Sequence, residues 1–191
     1  MYTTIAFPQF PEQTAFISYF SNVPKDVLSE VKAQLIAANT EYDFCFLNTK
    51  HIISLEHLQS SIYRAVSNHT YASMKAKTLN TEIIFSLSPV NNIMDALKRF
   101  GVDQDCSNLV AIKIVPTKEN VDFEEIHKHL IKILPGAKPE SLSDDVLYTT
   151  VDIPKFKKLY KLNDAVLSND PKGIQTELTR LAVSTCQLRG L

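Results

Sequence analysis

The chain has 191 residues, 45% of them apolar, and 20 Lys and Arg against 21 Asp and Glu leave a net charge of −1. This length and composition predict one domain that buries its own core. They exclude a disordered chain and a protein that coats nucleic acid by bulk charge, so any nucleic-acid contact must be a local patch.

The glycines Gly101, Gly136, Gly173 and Gly190 lie far apart. Neither a glycine-rich phosphate loop nor a nucleophile elbow can be written with them. Cys45, Cys106 and Cys186 are isolated, which suits free thiols in a reducing compartment. Residues 1–8 carry no basic lead and no long apolar run, so a secretory route is not expected. The apolar run 109–115 is broken by Lys113 and falls far short of the ~20 residues of a membrane span. The expected location is nucleus and cytoplasm, with no membrane contact.

In chain order, residues 2–7 alternate weakly and read as a first strand, stopped by Pro8 and Pro11. Over residues 24–38, Val27, Leu28, Val31, Leu35 and Ile36 share one helical stripe, with Pro24 in the first turn. Residues 44–47 form a short buried strand. Residues 54–68 place Leu55, Leu58, Ile62, Ala65 and Val66 at helical spacing behind Ser54, a natural cap. Residues 81–87 (TEIIFSL) read as a strand that ends at Ser88-Pro89. Asn91 or Asn92 caps a helix running to Phe100, and Gly101 stops it.

Residues 109–115 (LVAIKIV) are the best central strand. Asp122, with Glu125 three later, caps a helix through Leu134 that Pro135-Gly136 ends. Residues 147–151 read as a strand or an extended connection, and 153–162 as a short basic helix. Asp170-Pro171 opens a last helix with Ile174, Leu178, Leu181 and Leu188 on one face. Residues 137–145 and 163–170 read as loops. The expected fold is a mixed α/β (α+β) single domain over residues 1–191, with a small central sheet of four or five strands flanked by helices.

Few side chains point to chemistry. His127 and His129 stand two apart on a helix, where they diverge. They read as solvent-facing, and no metal or cofactor is expected. The pairs Glu124-Glu125 and Asp144-Asp145 read as solvated carboxylates at helix starts or in loops. No cysteine stands in an activating context. No catalytic residue is assigned, and the chain is not expected to be an enzyme.

The cations say more. Between Glu56 and Glu82 there is no acid, while Arg64, Lys75 and Lys77 lie beside Tyr63 and Tyr71. Such a stretch suits a phosphate backbone with stacked bases, although composition alone favours a solvated face. Lys155, Lys157, Lys158 and Lys161 cluster on the short basic helix, whose Ile153, Phe156, Leu159 and Tyr160 face inward.

Residues 74–101 carry the pattern MKAKTLNTEIIFSLSP-VNNIMDALKRFG. It resembles the central signature of the small kinase-binding subunit of the KEOPS (EKC) complex, the PRPK-binding protein family. That pattern is a basic K-[TA]-[RK]-[TN]-L-[NS]-[ST]-E-hydrophobic run, then S-P-x-x-N-I, then an A-[LF]-x-x-F-G helix end. Residues 7–11 (FPQFP), 159–162 (LYKL) and the ending 187–191 (QLRGL) are similar to further family elements, the last to its fungal members. Residues 116–152 show little that matches.

The resemblance implies a non-catalytic subunit with a mixed α/β domain. It implies binding to the atypical small kinase/ATPase of the complex and to the 3′ CCA end of tRNA, in support of threonylcarbamoyl-adenosine modification, with links to telomere maintenance and transcription. Matched to the physics of a single-strand grip, Lys75 and Lys77 supply charge, and Thr78, Asn91 and Asn92 supply hydrogen bonds. Ile93 adds an apolar contact beside the N–H groups that open its helix, and Arg189 a second cation from the C-terminus. Leu188 and Leu191 are the expected kinase-facing residues, as apolar groups at a terminus.

Overall fold

The computed structural model describes residues 1–118 and 121–189. Five strands form one antiparallel sheet: β1 (Tyr2–Ala6), β2 (Gln13–Ser21), β3 (Cys45–Asn48), β4 (Leu109–Pro116) and β5 (Lys138–Glu140). Their order is β1-β2-β4-β3, and β5 also pairs with β2. β1 meets β2 with Thr4 opposite Phe16 and β5 meets it with Phe20 opposite Pro139, while β4 runs along the other edge of β2 from Gln13 to Phe20. The two short strands therefore share one edge of the longest.

Helices cover both faces. α1 (Lys25–Ile36) and α5 (Phe123–Ile133) pack Val27, Leu28, Val31, Leu130 and Ile133 on Phe16, Phe20, Phe46 and Ala111. On the opposite face lie α2 (Leu55–Thr70), α3 (Leu79–Leu87), α4 (Ile93–Phe100), α6 (Asp144–Thr150), α7 (Ile153–Leu159) and α8 (Pro171–Leu188). Their Leu58, Ile83, Phe100, Leu147, Phe156 and Leu178 close over Ala15, Ile17, Leu47 and Val110. The central strands β2, β3 and β4 are thus buried on both sides, and the mixed α+β architecture expected from the sequence is the one observed.

Short polar caps set the helix starts. Ser54 Oγ accepts from the His57 N–H at 3.2 Å, Asn92 Oδ1 from Asp95 at 3.0 Å, Asp122 Oδ1 from Glu124 at 2.8 Å and Asp170 Oδ2 from Gly173 at 2.8 Å. Each satisfies an N–H that the first turn leaves without a helical partner. Gly101 ends α4 for a steric reason: a Cβ there would lie 2.5 Å from the Leu97 carbonyl oxygen.

Four elements differ from the sequence expectation. Residues 81–87 are helical, not a strand: Thr78 caps α3 by accepting from Thr81 at 3.2 Å, and every residue from Glu82 to Leu87 is buried. A short helix enclosed on all sides carries a continuous apolar run, which periodicity does not separate from a buried strand. Residues 147–151 belong largely to α6, capped by Ser143. β2 was not foreseen. It buries alternate residues on opposite faces, Ala15, Ile17 and Tyr19 on one and Phe16 and Phe20 on the other, so it lacks the polar alternation of a half-exposed strand. β5 lies inside the segment expected as a loop.

Candidate nucleic-acid and partner interface

The expected binding residues gather around α3. Its first turn is anchored by Glu82, a fully buried carboxylate. Glu82 Oε2 accepts from the backbone N–H groups of Lys75 at 3.0 Å and Ala76 at 2.8 Å, and Oε1 accepts from Asn68 Nδ2 at 2.8 Å. Three charge-assisted bonds replace the water that a carboxylate loses on burial. They also fix the loop between α2 and α3, which turns through Ala72 at a φ of 52°.

That loop presents Lys75 and Lys77 to solvent. Lys75 Nζ lies 3.4 Å from Asn91 Oδ1, across the hairpin formed by α3 and α4. Asn91 is exposed; Asn92, also exposed, is the residue of the pair that caps α4. Ile93 is half-buried and packs on the core. Thr78 is exposed and gives its hydroxyl to Thr81 Oγ1 at 2.9 Å. Of the seven expected residues, Lys75 and Asn91 are brought into contact, Lys77, Thr78 and Asn92 are exposed on the segments flanking α3, and Ile93 is half-buried.

Arg189 faces the other way. Its Nη1 donates to the carbonyls of Phe85 at 2.6 Å, Ser88 at 2.5 Å and Val90 at 3.4 Å, and its guanidinium carbon lies 3.8 Å from the Phe85 ring centroid. Arg64 Nη2 in turn donates to the Arg189 carbonyl at 3.0 Å. Burial, and then Arg64, lower the Arg189 pKa from its usual value. Instead of extending a charge toward a ligand, Arg189 caps the C-terminal carbonyls of α3 and seats the connection to α4. Its position under Val90 still makes it part of the scaffold beneath Asn91.

Two neighbouring features were legible only in part. Tyr71, 72% exposed, rests edge-on against Phe10 with centroids 6.1 Å apart, and Phe10 packs on Tyr63 at 5.5 Å. This leaves an aromatic ring open at the start of the basic loop. On the other side of Thr78 is a cavity of about 240 Å³ lined by Asp43, Thr78, Leu79, Asn80, Lys113 and Ile114. Lys113 Nζ reaches the Asp43 carbonyl at 2.8 Å and sits 4.7 Å above the Phe44 ring. The sequence signal for it was a lysine interrupting the apolar run of β4.

The side-chain types that catalysis commonly uses are placed otherwise. Glu124, Glu125, Asp144 and Asp145 are exposed at helix starts. Cys45, Cys106 and Cys186 are buried, and burial pushes each thiol up, Cys186 to about 11. Among the described residues no three His, Cys, Asp or Glu side chains group to hold a metal ion. His127 was expected to face solvent but is only 6% exposed, with its ring 6.2 Å from that of Phe20 and Nδ1 3.3 Å from Ser18 Oγ. His129, on the turn beside it, is half-exposed and meets the Glu41 carbonyl at 2.7 Å.

Along α8, Leu181 and Leu188 stand two turns apart and are 38% and 62% exposed, placing two apolar side chains on one outer stripe. Leu191, the other expected partner residue, lies outside the described residues. No described helix is long and apolar enough to cross a membrane.

Comparison with known proteins places these features in a family. The family model described as "Kinase binding protein CGI-121" matches residues 20–190. Among relatives named "EKC/KEOPS complex subunit CGI121", that of Debaryomyces hansenii is 54% identical, covering 100% of this chain and 99% of its own length. The Candida albicans protein is 45% identical, covering 97% of each, and that of Yarrowia lipolytica 35% identical, covering 96% and 98%. The chain belongs to the CGI-121 family of kinase-binding proteins.

Proposed function

We propose that this member of the kinase-binding family is a non-catalytic KEOPS (EKC) subunit. In this reading it holds the small atypical kinase/ATPase of the complex and grips the 3′ CCA end of tRNA, in support of threonylcarbamoyl-adenosine modification. The observation that carries the tRNA part is the surface where Lys75 Nζ approaches Asn91 Oδ1 at 3.4 Å. Lys77, Thr78, Asn92 and Tyr71, close to these two in sequence, are also exposed. A single strand needs cations for phosphates, amides and hydroxyls for base edges and an aromatic face for stacking, and this stretch offers all three. Ile93 supplies the apolar contact beside them.

The kinase is assigned to the outer stripe of α8, where Leu181 and Leu188 are exposed. A non-catalytic role is supported by exposed carboxylates at helix starts and by buried thiols held protonated. Nucleus and cytoplasm, where tRNA is matured and used, are the proposed locations.

The test is a fluorescence titration of the full chain with one tRNA, intact and with its CCA removed. Tighter binding of the intact form is expected, and Lys75→Glu with Lys77→Glu should weaken it and flatten its salt dependence. Equal affinity for the two forms, alone and with the kinase present, overturns the tail grip and leaves a kinase-binding scaffold.

A further inference from the structure

The lysines of α7 have no part in the surface described above. Lys155 and Lys158 on α7, and Lys161 in the turn just beyond its end, recur at every third position and are exposed, and Lys157 is half-buried. Beneath them Phe156, Leu159 and Tyr160 are fixed in the core. Among the described residues neither Lys158 nor Lys161 forms an ion pair.

α7 is tied to the far end of α4 through the 3-10 turn Thr49–His51. The Asp152 N–H donates to the Lys50 carbonyl at 2.9 Å. Asn48 Nδ2 donates to the carbonyls of Arg99 at 2.9 Å and Gly101 at 2.7 Å, and the His51 ring meets that of Phe100 edge-on at 5.8 Å. Three elements thus deliver Lys50, Arg99 and Lys155 to one neighbourhood. His51 registers them: burial first, then Arg99, with smaller contributions from Lys155 and Lys50 and against Asp152, depresses its pKa to about 4. The acids nearby are Asp95, paired with Arg99 at 2.7 Å, and Asp152, paired with Lys155 at 3.0 Å.

α4 connects this neighbourhood to the candidate tail site. It begins beside Asn91 and Asn92, and the six steps from Ile93 to Arg99 advance ~9 Å toward the basic turn. Basic side chains thus recur at both ends of α4, Lys75 by Asn91 at one and Arg99 with Lys50 at the other, and again on α7.

We propose that α7, with Lys50 and Arg99, is an electrostatic track for the duplex phosphates of the same RNA whose single-stranded end lies at Asn91. This rests on the tRNA reading above. A 3′ tail leaves its duplex within a few nucleotides, so a protein that holds the tail has the stem beside it. Exposed lysines a few residues apart meet a closely charged backbone without reading its sequence. Continuity with the tail surface favours RNA over an acidic protein as the occupant.

The experiment uses the full chain and the double variant Lys158→Glu, Lys161→Glu. Its two ligands are a whole tRNA and a short single-stranded RNA ending in CCA, each titrated over a range of salt. Whole-tRNA affinity should fall about tenfold, and the slope of log affinity against log salt should lose about 2, close to one per phosphate contact. The short RNA should bind unchanged. An unaltered slope for tRNA, or equal losses for both ligands, overturns the track.

Loss of kinase capture with tRNA affinity intact gives the face to a protein and also overturns it. Wild-type chain that binds tRNA with and without CCA equally, yet loses affinity in the double variant, ends the tail reading and keeps the track. No tRNA affinity in the wild type ends both. If the double variant melts early, Lys158→Gln with Lys161→Gln is measured instead, with a loss of the same sign expected.

Discussion

The guanidinium carbon of Arg189 lies 3.8 Å from the centroid of the Phe85 ring, while its Nη1 donates to the carbonyl of that same residue at 2.6 Å. One side chain from the end of α8 thus covers a ring and a main-chain acceptor of α3. The adjacent carbonyl, Leu87 O, takes the Tyr160 hydroxyl at 2.6 Å and the Cys186 thiol at 3.2 Å. The C-terminal end of α3 has few helical partners of its own, and α7 and α8 supply them from the side. The connection carrying Asn91 is positioned by this closure.

Arg189→Ala is therefore expected to destabilise the fold by ~2–3 kcal/mol, from lost charge-assisted hydrogen bonds and a cation–π contact. Arg189→Lys should recover only part, since a point charge does not reproduce the planar fork. Urea unfolding checks this, and an unchanged midpoint in the alanine variant would refute the capping role.

Glu82 sets the other side of the same surface. Glu82→Gln turns an amide donor toward the N–H groups of Lys75 and Ala76, or else loses Asn68 as a partner. A cost of ~2–3 kcal/mol is expected from the unsatisfied buried groups. Faster hydrogen exchange at the Lys75 and Ala76 amides should accompany it. Exchange as slow as in the wild type would show that the loop is held by something else.

Much of this was readable in the sequence because its signals are local. Ser54, Asn92, Asp122 and Asp170 each stand just before an apolar helical pattern, and each is a cap in the structure. β4 was legible as a β-branched run. What was hidden depends on enclosure from several directions. α3 and β2 are covered on all sides, so their residues carry no polar face to reveal a period. Lys75 and Asn91 were both named as candidates, but their approach depends on the turn of α3 against α4. The inward course of Arg189 depends on a tail returning to a helix a hundred residues earlier.

Acid should unfold the protein through its buried imidazoles. His57 is enclosed with Nε2 2.9 Å from the Tyr160 oxygen. Because the Tyr160 hydroxyl donates to Leu87 O, His57 serves as donor from Nε2. Burial depresses the His57 pKa from 6.5 to about 3, and burial followed by Arg99 depresses that of His51 to about 4. Between those values and 6.5 the unfolded chain binds protons that the folded chain excludes. Stability is thus fully present above about pH 6.5 and is lost as pH falls toward 4 and 3, with His57 contributing up to ~1.4 kcal/mol per pH unit. Urea midpoints measured from pH 7 to 4 should show this slope, and His57→Phe should reduce it. A pH-independent midpoint over that range would contradict the assignment.

The outer stripe of α8 gives a prediction separable from RNA. Leu188→Glu places a charge at a 62% exposed position, so the fold should tolerate it within ~0.5 kcal/mol. Capture of the kinase subunit should weaken at least tenfold, with tRNA affinity unchanged. Undiminished capture would move the kinase to another face.

Tyr71 offers the most direct view of a bound base, because the chain has seven tyrosines and no tryptophan. Its ring is 72% exposed and braced edge-on by Phe10, so a stacked base would meet a platform that is already oriented. Tyr71→Ala should weaken binding of a CCA-ended RNA by ~1–3 kcal/mol, the usual worth of a base on an aromatic ring. Tyr71→Phe should bind as the wild type, since stacking uses the face and not the hydroxyl. Tyr71→Trp provides a single indole whose emission a stacked base quenches. Saturable quenching at the RNA concentration that fills the site would locate a base on this ring. Full affinity in the alanine variant, with no quenching in the tryptophan variant, would leave Tyr71 as no more than the cover of Phe10.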